Sequence, residues 1–279
     1  MRITMKRIRF FTIITALTLA AVTLLSSCSG KKDNTADNDK NDRPAKDEVI
    51  WDNIGDFSTK SEEILKIDAV DGFDKLVGGC YDNSRYYYFV LENDAGEDII
   101  CKYDSKNGKM HRISEPFYIN GVGGMCIRSD RIILLHKSNR VSYFDNSSFE
   151  NMTGTSLLFK ATAIAYNKKL DNLILCQDDG NINLIDRDHE QTGTIPSINQ
   201  TPANAITCDN NYVYTLTDNG GGSEIIVYTW DGDYVCNSTI SDVKLLPVGM
   251  FFKDSDLYVF YDTNDGGGAL YKTVFEKQS

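Results

Sequence analysis

Residues 123–145 read GGMCIRSDRIILLHKSNRVSYFD, and this stretch decides the fold because its pattern recurs four more times. It predicts an inner strand (124–128), a tight turn, an apolar strand (132–135), a polar hairpin and a third strand (141–144). The counterparts are VGGCYDNSRYYYFVLENDAGEDIICKYD from Val77, ATAIAYNKKLDNLILCQDDGNINLID from Ala161, ANAITCDNNYVYTLTDNGGGSEIIVYTW from Ala203 and VGMFFKDSDLYVFYDTNDGGGALYKT from Val248.

The repeats keep a regular period. A landmark near the end of each third strand recurs at spacings of 41, 41, 43 and 43 residues, at Tyr103, Phe144, Ile185, Tyr228 and Tyr271. A period in the low forties with several short strands per unit is typical of a β-propeller blade. A β-sandwich also has short strands and frequent turns, but it does not repeat at this interval.

The ends of the chain set the number of blades. The last repeat supplies an inner strand (248–252), a second strand (257–261) and a third strand (270–275), and lacks a fourth. The segment 63–69, EILKIDA, reads as a strand that precedes the first repeat. Placed beside the last repeat, it closes an all-β ring of five blades. A sixth blade, the alternative, would have to come from 50–57, which is too short.

The N-terminus predicts export. Residues 1–27 carry four basic residues and no acid, followed by an apolar run at 10–25, the order found in a signal peptide. Leu25-Ser26-Ser27-Cys28 resembles the bacterial lipobox, which implies cleavage before Cys28 and diacylglyceryl attachment to its sulfur. Two or more acyl chains hold a protein stably on a bilayer. We therefore expect a lipid anchor at Cys28 in the cell membrane, with the protein on the extracytoplasmic side.

A polar linker follows the anchor. Residues 28–48 have no large apolar side chain after the cysteine and cannot bury enough surface to fold, which predicts a flexible tether before a propeller at 49–279. Signal cleavage would change the net charge from −11 to −15. No basic run remains outside the signal peptide, so we expect no binding to nucleic acid.

Six cysteines lie in the predicted propeller: Cys80, Cys101, Cys126, Cys176, Cys208 and Cys236. An exported chain can form disulfides. However, these residues fall within strands of different blades, and packed sheets lie about 10 Å apart, beyond the span of a disulfide. Buried free thiols are therefore favoured over three bridges. The cysteine spacing does not predict a zinc site.

Motifs for catalysis or cofactor binding do not stand out. The chain has no GxxxxGK[ST], GxSxG or HExxH, and no cofactor or metal is expected. His111, His136 and His189 read as solvated surface residues. A glycosidase would need two or three carboxylates around the axis. The candidates are Asp71, Asp74 and Asp242, none of them within an inner strand.

Taken together, the chain resembles bacterial lipoproteins with a WD40-like or PQQ-like propeller, including uncharacterised propeller lipoproteins of Gram-positive bacteria. It lacks the GH and WD dipeptides of WD40 repeats. The resemblance implies a propeller and a membrane anchor in the cell envelope, and transfers no functional residue. We expect a non-catalytic binding or scaffold module for a protein, peptide or glycan; the alternative is an extracellular carbohydrate-active enzyme.

One propeller face collects the candidate ligand residues. The hairpins between second and third strands share this face with the links that lead into the inner strands. Amphipathic aromatics and acids there would favour a cationic or hydroxyl-rich ligand. The candidates are Asp94, Asp178, Asp179, Asp218, Asp262, Asp265, Phe117 and Tyr118. Turn formation by the acids and core packing by the aromatics are the competing explanation.

Overall fold

The computed structural model describes residues 50–278, and they form five four-stranded antiparallel sheets arranged as a five-bladed β-propeller. The chain enters through a 3-10 helix, Trp51–Asp56, and strand β1, Phe57–Ile67. Blade 1 contains β2 Phe73–Tyr81, β3 Tyr86–Asn93, β4 Asp98–Asp104 and β5 Lys109–Ile113. Blade 2 contains β6 Val122–Arg128, β7 Arg131–His136, β8 Arg140–Asp145 and β9 Asn151–Ser156.

The remaining three blades repeat this order. Blade 3 contains β10 Ala161–Asn167, β11 Asn172–Gln177, β12 Ile182–Ile185 and β13 Gln191–Ile195. Blade 4 contains β14 Ala205–Cys208, β15 Tyr212–Asp218, β16 Ser223–Thr229 and β17 Tyr234–Ile240. Blade 5 contains β18 Leu246–Lys253, β19 Asp256–Asp262, β20 Gly268–Lys277 and, from the start of the chain, β1.

The second strand of every blade is buried on both faces. Its residues do not alternate between apolar and polar: β3 begins YYYFVL, β7 reads RIILLH, and Ile132 to Leu135 have no exposed surface. Blades stacked face to face cover both sides of such a strand. The outermost strands, in contrast, are solvated, and all five residues of β5 are exposed.

Strand β1 closes the ring, which confirms five blades. It pairs antiparallel with β20, from Phe57 opposite Lys277 to Ile67 opposite Gly268. Trp51 anchors the entry of this strand, with its ring centroid 4.9 Å from Phe275 and 5.3 Å from Tyr214. The last blade therefore contains both ends of the described chain.

The inner strands of blades 1 and 5 approach each other too closely for any side chain between them. A Cβ added at Gly249 would collide with the backbone of Gly79, and one added at Gly79 would collide with the Phe260 ring. Neither glycine has a positive φ, so glycine is required at these positions because the neighbouring atoms leave no room for a side chain.

Candidate functional site

The inner strands all begin at one face of the propeller, which we call the entry face, and four of the five have a β-bulge there. In blades 1, 2, 3 and 5 the register to the second strand shifts at the same place, around Val77, Gly123, Thr162 and Val248. A bulge adds one residue to a strand and redirects it. All four of these residues line one cavity on the propeller axis.

This cavity, the entry mouth, has a volume of about 410 Å³ and receives residues from all five blades. Its lining is mainly apolar: Leu76, Val122, Ala161, Ala203, Leu246 and Pro247 contribute to it alongside the bulge residues. Its volume lies within the usual range for ligand pockets, about 300–1,000 Å³. The entry mouth is therefore a preformed concavity of the size that ligand pockets have.

Three lysines also line the entry mouth: Lys75, Lys137 and Lys160. Lys75 Nζ donates a hydrogen bond to Glu92 Oε1 at 3.0 Å. Lys137 and Lys160 make no ion pair with a carboxylate anywhere in residues 50–278. Two ammonium groups at the mouth are thus available to an anion.

Two buried carboxylates lie close to these lysines. Asp262 lines the mouth, and burial raises its pKa. Asp98 is 0% exposed, lies opposite Glu92 in the sheet, and neither of its carboxylate oxygens has a hydrogen-bond partner in the described part of the chain. Burial, reinforced by Glu92 and opposed by Lys137 and Lys75, raises the pKa of Asp98 to about 7.

The predicted acidic residues are all on the entry face, but they are not gathered in the mouth. Of these acids only Asp262 lines the cavity, while Asp94, Asp178, Asp179, Asp218 and Asp265 are exposed. Asp179 Oδ1 accepts from the Asn181 backbone, and Asp218 Oδ1 accepts from the Gly220 backbone, both at 2.9 Å. These two acids therefore form turns, which is the role that the competing explanation gives them.

The two predicted aromatics differ. Phe117 packs on Phe144, with the ring centroids 4.9 Å apart, whereas Tyr118 is 66% exposed. Two further exposed apolar side chains lie on the following links into inner strands: Leu158 is 88% exposed and Ile198 52% exposed. Sequence reasoning missed both: Ile198 is the large apolar residue of an otherwise polar link, whereas Leu158 stands between Leu157 and Phe159 and reads as part of an apolar run.

A second cavity, the exit mouth, lies at the opposite end of the propeller axis and has a volume of about 310 Å³. Cys80, Cys126 and Cys208 are among its lining residues. All six propeller cysteines are free, as predicted. Burial raises the pKa of each thiol, to about 12 for Cys101 and Cys208 and about 11 for Cys236. The thiols are therefore protonated at neutral pH.

The candidate glycosidase acids line neither mouth. Asp71 and Asp74 are exposed at the start of blade 1. Asp242 accepts hydrogen bonds from the Ser61 backbone at 2.6 Å and the Ser61 hydroxyl at 3.0 Å. It thereby ties strand β1 to the link between blades 4 and 5.

The histidines have different environments. The prediction of a solvated surface position is wrong for His136, which is buried with Nε2 2.8 Å from Ser142 Oγ. Burial, together with Arg140, lowers its pKa. Within residues 50–278 no three His, Cys, Asp or Glu side chains are grouped so as to hold a metal ion.

Comparison with known proteins supports the fold. No family model matches this sequence, and no curated protein matches it. Among solved structures, the crystal structure of Myxococcus xanthus glutaminyl cyclase superposes with a TM-score of 0.57 at 9% sequence identity, covering 78% of this chain and 97% of that one. At this identity the likeness concerns architecture alone. The chain is thus defined as a five-bladed β-propeller with an open, apolar, lysine-bordered mouth.

Proposed function

We propose that this protein is a membrane-tethered, extracytoplasmic lipoprotein whose propeller binds a protein, peptide or glycan at the entry face. The observation that carries this proposal is the coincidence, on one face, of the entry mouth and three exposed apolar side chains. Tyr118, Leu158 and Ile198 lie on three consecutive links into inner strands. Exposed apolar groups beside a concave site are typical of an interaction surface.

The anchor in this proposal rests on the Leu25–Cys28 motif, which lies outside the described residues. No helix in the part of the chain that the structure describes is long and apolar enough to span a membrane. A lipid on Cys28, followed by the polar segment up to residue 48, would tether the propeller to the membrane.

Peptide and glycan arrays probed with residues 49–279 test the binding role. A triple variant, Tyr118→Ser, Leu158→Ser and Ile198→Ser, should lose at least tenfold in affinity for any array hit. The matched control replaces three exposed apolar residues on outermost strands, Met110→Ser, Met152→Ser and Tyr234→Ser. The control should bind like the unmodified propeller, and equal losses in the two triples would contradict the proposal.

The exposed hairpin acids extend the proposed surface. Asp94, Asp178 and Asp265 have no side-chain hydrogen bond to another described residue, unlike Asp179 and Asp218. Changing these three to asparagine should weaken a cationic or hydroxyl-rich array hit. A suitable control changes Asp130, Asp188 and Asp231, exposed acids in turns at the opposite end of the blades. Product release from an arrayed glycan would instead favour the carbohydrate-active alternative.

A further inference from the structure

We infer that the entry mouth binds an amphipathic anion, with its apolar body in the cavity and its anionic group at Lys137 and Lys160. This inference rests on the proposed function and names the ligand chemistry of the same site. Neither lysine was among the candidate ligand residues, which were the acids and aromatics of this face.

The apolar body is argued from the lining. Val77 and Val248, at two of the bulges, line the mouth together with Leu76, Val122 and Pro247. Water in such a cavity finds few polar partners, so an apolar group that displaces it gains free energy in proportion to its buried area. A volume of about 410 Å³ accommodates a medium-length alkyl chain or two to three apolar side chains.

The anionic group is argued from charge. The chain has a net charge of −11, yet its entry mouth is lined by three lysines and one carboxylate, Asp262. Glu92 satisfies Lys75. Asp98 is fully buried, and burial raises its pKa to about 7 although the nearby Lys137 opposes this shift. Asp98 is therefore mostly protonated below neutral pH. Lys137 and Lys160 are consequently left with positive charge that a ligand anion would pair.

Both lysines are held at the mouth by the backbone. Lys137 N donates to Gly121 O at 2.9 Å, and its aliphatic stem lies over Gly121, where an added Cβ would be 3.1 Å from Lys137 Cδ. Lys160 directly precedes β10, whose first residue, Ala161, lines the cavity. The backbone of both lysines therefore lies beside the cavity.

Calorimetric titration of residues 49–279, which contain all twenty strands and the closing pair β1–β20, tests the inference. The probes are hexanoate, decanoate and decanol. Decanoate should bind at least tenfold more tightly than decanol. Affinity should also rise about fourfold with each methylene from hexanoate to decanoate, the fold-change that corresponds to about 0.8 kcal/mol. Raising the salt concentration should weaken the binding of decanoate and leave the binding of decanol unchanged.

Charge variants locate the anion. The double variant Lys137→Gln and Lys160→Gln should remove the preference for decanoate over decanol while keeping the dependence on chain length. The matched control is Lys168→Gln, which removes a lysine at the exit mouth. The control should keep the preference. Equal binding of decanoate and decanol, or an equal effect of the control, would overturn the inference.

A second arm separates a free amphiphile from the end of a peptide. Acetyl-Leu-Leu with a free carboxyl group and the same dipeptide as its amide carry the same apolar body. If acetyl-Leu-Leu with its free carboxyl group binds more tightly than decanoate, the natural ligand is a peptide carboxyl terminus. If decanoate binds more tightly, the natural ligand is a free amphiphile. Either result supports the inference. If no probe binds, while array hits still require Tyr118, Leu158 and Ile198, the ligand class is wrong and the proposed function stands.

Discussion

At the scale of single residues, the feature that sequence reasoning did not find is Asp98. The sequence NDAGED places it at the end of a hairpin, where an acid is ordinary turn chemistry. In the folded chain it is the first residue of β4, with its backbone paired to Phe117 and its carboxyl group sealed beneath the link. Its burial depends on a link that comes nineteen residues later, which a local pattern does not reveal.

We expect Asp98 to make the folded state less stable as pH rises. Its pKa is about 7 when folded and 3.8 in the reference state, so between these values the folded protein holds a proton that the unfolded chain releases. Stability is then lost as pH increases through that window. Asp98→Asn should remove this loss, gaining on the order of 2 to 3 kcal/mol relative to wild type between pH 5 and pH 8.

Urea unfolding at the two pH values measures this difference. Asp94→Asn serves as the control, because it removes an exposed carboxylate from the same hairpin. Identical pH profiles for Asp98→Asn and wild type would show that the buried carboxyl group is not the source of the pH dependence.

The six thiols give a second prediction at this scale. Burial holds their pKa values well above neutral, and the thiolate is the reactive form. Native residues 49–279 at pH 8 should therefore react slowly with Ellman's reagent, Cys208 first because it is the least buried. In denaturant all six should react at once. Fewer than six equivalents there would indicate a disulfide.

At the scale of elements, the sequence predicted blade strands better than it predicted the closing strand. The expected segment was 63–69, whereas β1 spans Phe57–Ile67. Its first half, FSTKSEE, is polar because β1 is the solvated outer strand of blade 5, so apolar periodicity does not mark it. The bulges at the entry face were not predicted either, since one inserted residue leaves an apolar run unchanged.

Removal of the closing strand should open the ring. Residues 68–279 lack β1, which exposes one edge of β20 and removes the contacts of Trp51 with Phe275. We expect loss of cooperative thermal unfolding. A synthetic peptide of residues 49–67 added in trans should restore it, while a peptide with the same residues in scrambled order should not. Unchanged unfolding without β1 would contradict the role of this strand in stability.

At the scale of the whole molecule, periodicity and the count of strands together specified the five-bladed ring. The ligand was not specified. The residues that line the entry mouth come from five blades, one or a few from each, and no single stretch of sequence contains the set. His136 is a second example. Its position next to polar residues predicted a solvated hairpin, whereas in the structure it is the last residue of β7 and is buried.

The anchor is tested on the whole chain. Cys28→Ser should move the protein from the membrane fraction to the soluble fraction and leave the thermal unfolding of the propeller unchanged, because the substitution lies outside the propeller. Incorporation of labelled fatty acid should disappear in the same variant. A variant that still sediments with membranes and incorporates label like wild type would exclude lipidation at Cys28.

The pairing of β1 with β20 also imposes an order on biosynthesis. The first strand of the propeller cannot find its partner until β20, Gly268–Lys277, has been made. During synthesis, blades 1 to 4 have their strands before the ring can close, and blade 5 waits for β20. A chain that stops before Gly268 would lack β20 and could not seal its ring, whatever the quality of the blades already formed.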